Sequence, residues 1–188
     1  MKPPITSLAT LGLALLVSAP EPVAAQSYQV DCAILLCLAG GWPASAPCVH
    51  ARGVFIRRIT PWPVEPPLQI WNCPMGGGPG ALPSLPGSQR ADIDISAPAF
   101  DFVRSLRVYQ IDHWQFMNGD TDCLHAGSIR RGDYGTQGEF RWAYVTPAAV
   151  PLASGLPRPV DCETFAWRSV FVDWRDHEDN YGFEEVRY

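Results

Sequence analysis

Residues 31–59 read DCAILLCLAGGWPASAPCVHARGVFIRRI, and this stretch decides the fold of the N-terminal half. After Asp31 the run to Leu38 is apolar, and Gly40-Gly41 then supply a helix stop. It is too short to cross a membrane, so it predicts a buried helix of one to two turns with Asp31 capping its first amides. After Trp42-Pro43, Ser45 is placed to cap a second helix. Pro47 suits its first turn, and Cys48, Arg52, Phe55 and Ile56 fall near one face of a segment that runs to Ile59. Two short helices joined by a tight Gly-Pro turn make a hairpin, and a bridge between them is geometrically reasonable.

Working outward toward the N-terminus, Met1-Lys2 precede an apolar stretch from Ile5 to Ala19, followed by Pro20 and Pro22 and by Val23-Ala24-Ala25. A positive start, a short apolar centre and small residues before Gln26 predict a secretory signal over 1–25, cleaved after Ala25. No twin arginine precedes it, which favours the general secretory route and a periplasmic location. Lys2 is the only lysine and leaves with the signal, so every basic residue of the mature chain is arginine. No transmembrane segment is expected after cleavage.

All six cysteines lie beyond that site, and an even number in an exported chain reads as a disulfide framework. Sequence does not choose among the fifteen possible pairings. The simplest arrangement puts two bridges among Cys32, Cys37, Cys48 and Cys73 and one between Cys123 and Cys162. The absence of any C-x-x-C spacing argues against zinc, and no metal or other cofactor is implied.

Toward the C-terminus, TPWPVEPPLQIWNCP has four prolines before Leu68 that forbid a helix there, and Leu68 to Trp71 is read as a last turn leading into Cys73. The cysteine-rich helical region therefore covers 26–75. A Gly/Pro linker or loop follows at 76–88, and a β-rich region occupies 89–188. In that region LRVYQIDHWQF (106–116), EFRWAYV (139–145) and WRSVFVDW (167–174) are rich in β-branched and aromatic residues and predict strands of an antiparallel sheet. Turn signals are read at Asn118-Gly119-Asp120, Gly132-Asp133-Tyr134-Gly135 and Ser154-Gly155. A short helix is expected over 97–104, and DHEDNYGFEEVRY reads as a loosely docked acidic tail. The class is α+β, a disulfide-stapled N-terminal helical hairpin followed by a small antiparallel β-sheet.

The chain has 14 basic against 19 acidic residues, a net charge of −5, which disfavours direct nucleic-acid binding. Asp112-His113, His125 near Asp122, and Asp176-His177 are the acid/base candidates for an envelope hydrolase, but no motif supplies a nucleophile or the rest of a site. GGGPG at 76–80 lacks the Lys-Ser/Thr of a phosphate loop. No catalytic residue is assigned. Arg57 and Arg58, with Trp62 and Trp114, are the candidate partner-binding residues, as a basic pair and as aromatic contact rings.

The segment 31–73 resembles the cysteine-rich core of the TrbM/KikA/MpfK family of conjugal transfer proteins. Its members carry an apolar C-x4-C stretch, a Gly/Pro turn, a third cysteine opening a basic and aromatic segment, and a fourth before a proline or glycine. Cys32, Cys37, Cys48 and Cys73 take those places, with Leu35, Leu36 and Leu38 as apolar filling and Arg57-Arg58 in the basic segment. The resemblance spans about a quarter of the mature chain and stops before residue 89. Where members carry a lysine- and arginine-rich helix between the third and fourth cysteines, this chain has TPWPVEPP. The resemblance implies a non-enzymatic periplasmic accessory of conjugative DNA transfer that contacts envelope components of a mating-pair or type IV secretion apparatus. The alternative is a secreted module that binds cell-wall glycan or peptide through exposed tryptophans.

Overall fold

The first helix, α1, spans Val30–Ala39. Asp31, Cys32, Ile34, Leu35, Cys37 and Leu38 are buried, and among its apolar residues Leu36 faces solvent, so the apolar run forms an almost fully covered helix. It ends as the two glycines predict. Gly41 takes φ 66°, the Gly41 amide donates to the Leu38 carbonyl, and the Trp42 amide reaches back to the Cys37 carbonyl at 2.7 Å. These two bonds satisfy carbonyls the last turn would leave open.

The structure, a computed structural model, describes residues 30–60, 63–73, 95–119, 122–159 and 161–188. The expected signal over 1–25, the linker at 76–88 and Trp62 lie outside the described residues.

The second helix, α2, spans Ala46–Ile59, with Ser45 at its N-cap in extended conformation and a proline in its first turn. Ser45 makes no side-chain capping bond, so its contribution there is conformational. Cys37–Cys48 ties the two helices with Cα atoms 5.4 Å apart, and Cys32–Cys73 ties α1 to the end of the proline-rich stretch at 4.9 Å. Asp31 is not the cap expected of it. The helix begins one residue earlier, and the Asp31 carboxylate forms an ion pair with Arg58 at 2.6 Å. The expected turn over 68–71 is a 3-10 turn at Ile70–Asn72.

The rest is an antiparallel sheet of five strands: β1 Arg107–Asn118, β2 Asp122–Tyr134, β3 Phe140–Tyr144, β4 Phe165–Arg175 and β5 Tyr181–Arg187, in the order β3-β2-β1-β4-β5. The short helix expected before it is a 3-10 turn at Pro98–Phe100 running into α3, Asp101–Ser105.

Three strands match the aromatic segments, and two differ from the expectation. The turn expected at 132–135 is the end of β2, where Gly132 pairs with Val108 and Trp142. A Cβ at Gly132 would collide with the Phe140 ring, so this glycine seats an aromatic side chain rather than bending the chain. The acidic tail is likewise β5, paired with β4 along its whole length. Its turn is made by Asp176, whose carboxylate accepts from the amides of Glu178 at 2.9 Å and Asn180 at 2.8 Å. Tyr188 then docks on α2, its hydroxyl donating to the Thr60 carbonyl at 2.6 Å.

Side chains alternate across the sheet. One face carries Val108, Val170, Val172 and Trp174, which share a core with Ile34, Leu35, Phe55 and Leu68. The helical hairpin and the sheet thus pack around one core, although the linker between them reads as a boundary in sequence. Tyr134 fastens the intervening segment, its buried hydroxyl accepting from the Leu68 amide at 2.8 Å and donating to the Leu68 carbonyl at 2.7 Å. The opposite face builds a smaller core of Tyr109, Ile111, Ile129 and Phe171, covered by Val150 and Leu156 from the connection between β3 and β4.

Candidate functional site

Of the two arginines expected to meet a partner, α2 points them differently. Arg57 is exposed, and with Arg58, His50 and Glu65 it lines a shallow cleft of about 500 Å3. Arg58 turns inward: its side chain is 12% exposed, it pairs with Asp31, and it donates to the Pro67 carbonyl at 3.1 Å. It thereby holds α1, α2 and the proline-rich segment together. The other basic pair is also engaged. Arg130 bonds Gln110 and lies 4.7 Å over the Trp142 ring, and Arg131 bonds Asp133 at 2.8 Å.

Trp114 is exposed, as its expected role requires. It stands on β1, on the sheet face that the helices cover at the other end, and shares that face with half-buried Phe116 and with Leu124 across the pair. Trp114 and Leu124 are 39% and 40% exposed, so the far half of the β1–β2 ribbon presents an apolar strip to solvent. The other described tryptophans are buried or half-buried: Trp42 and Trp174, for example, pack against Phe55 edge to face.

The sheet does not bring the first two acid/base pairs together, and in the third His177 Nε2 lies 3.8 Å from the neighbouring Glu178 carboxylate rather than on Asp176. Asp112 and His113 are neighbours on β1 and therefore point to opposite faces, as do Asp122 and His125 on β2. The Asp176 carboxylate is occupied by its own turn, and the hydrogen bond from Asn180 holds it below the usual carboxylate range. The His177 ring contacts the Ala39 carbonyl through Nδ1 at 2.6 Å. What the sheet does join is His113 with His125, on one face, with stacked rings 5.8 Å apart. Burial, reinforced by the neighbouring His125, pushes the His113 imidazole below its ordinary value. Among the described residues no group of three metal-ligating side chains converges.

A second cleft, about 520 Å3, opens where α3 meets β4 and β5, and is lined by Phe102, Ser105, Arg107, Asp173, His177 and Tyr181 among others. Its wall holds a carboxyl that sequence reasoning did not single out. Asp173 is 5% exposed, its Oδ2 accepts from the Tyr181 hydroxyl at 3.3 Å, and its Oδ1 has no hydrogen-bond partner. Burial pushes this carboxyl up, against the opposing pull of Arg107 on the adjoining strand. Burial and the Asp173 charge together raise Tyr181 to about 12. The cleft therefore sets a buried carboxyl and a phenol, both raised, beside the arginine of β1. The only sequence signal for it was a polar residue inside the otherwise apolar VFVDW.

Comparison with protein-family models, with curated protein sequences and with solved structures finds no match in any of the three.

Proposed function

We propose that this protein is an extracytoplasmic accessory of conjugative DNA transfer, acting by contact with envelope components of a mating-pair or type IV secretion apparatus. The three disulfides place it among chains that mature in an oxidising compartment. The periplasm, reached by the general secretory route, is the compartment this reading requires. The observation that carries the reading is the closure of Cys32, Cys37, Cys48 and Cys73 among themselves. The segment that resembles the conjugal transfer family is thereby a self-stapled unit built on its own four cysteines. The surface available for contact is the apolar strip around Trp114 and Leu124, with Arg57 on the helical side.

A mating assay tests this. Deleting the gene in a donor is expected to lower transfer frequency by an order of magnitude or more. The wild-type gene restores it, and a Trp114→Ala gene restores it only in part. Unchanged transfer on deletion would refute the reading.

The exposure of Trp114 also favours a second reading, binding of cell-wall glycan or peptide. Retention on purified cell-wall material that is lost in Trp114→Ala would support it, with mating unaffected.

A further inference from the structure

The three disulfides sit in different environments. Cys32, Cys37, Cys48 and Cys73 are each 8% exposed or less, so both N-terminal bridges are sealed inside the main core. Cys123, at the start of β2, is exposed, and Cys162, just before β4, is half-buried. The exposed bridge also has a proton carrier beside it. His125, two residues along β2 and on the same face, places Nε2 3.9 Å from the Cys123 sulfur, and its ring is braced against His113. The segment carrying Cys162 is held nearby by a bond from Gln115 Nε2 to the Glu163 carbonyl at 3.1 Å.

We infer that Cys123–Cys162 is a thiol-exchange site, opened and reclosed by a protein dithiol while the two N-terminal bridges stay closed, with His125 as proton donor. Exchange requires a thiolate to reach a disulfide sulfur, and its rate depends on that access and on how well the departing sulfur is stabilised as an anion. The half-buried Cys162 is the point of attack, where all four N-terminal cysteines are covered, and Cys123, with His125 beside it, carries the departing sulfur. A thiolate of the incoming dithiol bonds to the Cys162 sulfur, the Cys123–Cys162 bond breaks, and its electron pair stays on Cys123. His125, whose Nε2 faces that sulfur, passes it a proton and takes one back from solvent. The second sulfur of the dithiol, having lost its proton to solvent, then attacks its partner in the mixed disulfide. Cys162 leaves as a thiolate and is protonated by solvent. Two electrons and two protons have passed from the dithiol to the pair, and the dithiol has become a disulfide. Opening frees the segment before β4 from the end of the β1–β2 ribbon, while the main core keeps its staples.

The experiment treats the folded protein with graded dithiothreitol without denaturant, traps thiols with iodoacetamide, and maps them by mass spectrometry. Labels are expected on Cys123 and Cys162 about tenfold or more faster than on the four N-terminal cysteines. His125→Gln is expected to slow that opening several-fold while leaving the circular dichroism spectrum and the N-terminal bridges unchanged. Equal or faster labelling at Cys32, Cys37, Cys48 or Cys73 would overturn the site, and an unaltered rate in His125→Gln would overturn the role of the histidine. The Cys123→Ser/Cys162→Ser double variant is expected to fold with both remaining bridges. Its failure to fold would make the bridge structural and also overturn the proposal.

Discussion

The indole of Trp174 lies directly over Gly182 on the neighbouring strand, with ring atoms 2.7 Å from where a Cβ would stand. The same indole meets Phe55 of α2 at 6.0 Å and Trp42 of the interhelical turn at 6.4 Å, both edge to face. One glycine on the edge strand therefore sets how closely the helical hairpin approaches the sheet. Gly182→Ala must displace the ring, and the expected cost is about 1–3 kcal/mol, typical of overpacking a close-packed core. Phe55→Ala, which empties the other side of the contact, is expected to cost about 3–5 kcal/mol. Urea unfolding followed by tryptophan fluorescence measures both.

Arg57 and Arg58 are adjacent in sequence but unequal in energy. Arg58→Met leaves the Asp31 carboxylate unpaired in a site where both side chains are nearly covered, so a loss of about 3 kcal/mol or more is expected. The double variant Asp31→Asn/Arg58→Met is expected to recover most of it. Arg57→Ala, on the surface, is expected to stay within about 0.5 kcal/mol of wild type. Equal losses for the two arginines would contradict the inward turn of Arg58.

His113 gives stability a dependence on mild acid. Its folded imidazole titrates below the ordinary value of 6.5 because it is buried and faces His125. Between those two values the unfolded chain binds the extra proton, so stability is fully present above about 6.5 and falls as pH drops toward the depressed folded value. His113→Gln is expected to flatten unfolding midpoints measured between neutral pH and pH 5. A variant that keeps the wild-type slope would refute the assignment.

Asp173 acts in the opposite sense. Its folded carboxyl is raised by burial, so the folded state holds its proton more tightly, and stability falls as pH rises from the unfolded carboxylate value through the folded one. Asp173→Asn keeps an acceptor for the Tyr181 hydroxyl and removes the buried charge. Its melting temperature is expected to exceed that of wild type at neutral pH, with the advantage shrinking as pH falls. Scanning calorimetry at several pH values checks this.

The helical hairpin was legible because its signals are local: the apolar run, the Gly-Gly stop, and the proline in the first turn of α2. Strands β1, β3 and β4 were legible from their aromatic and β-branched content. β2 was not, because Gly127, Gly132 and the Arg130-Arg131 pair resemble turn or surface residues until their cross-strand neighbours are known. β5 was hidden by its acidic composition, and its place at the sheet edge explains why charge is tolerated there. The same distinction holds at the clefts. Arg58 and Asp31 become partners, and Asp173 becomes buried, only through packing and register, which no short window of sequence contains. Of the candidate contact residues, Trp114, on the strip that the helices leave uncovered, and Arg57 are the described ones that the fold leaves exposed.

The most direct measurement is photo-crosslinking from position 114 in living donor cells, with a photoreactive phenylalanine replacing Trp114. An adduct with an envelope component of the transfer apparatus is expected, identified by mass spectrometry and absent from cells that lack the apparatus. Adducts confined to cell-wall fragments, or the same adduct pattern with and without the apparatus, would contradict contact with the apparatus.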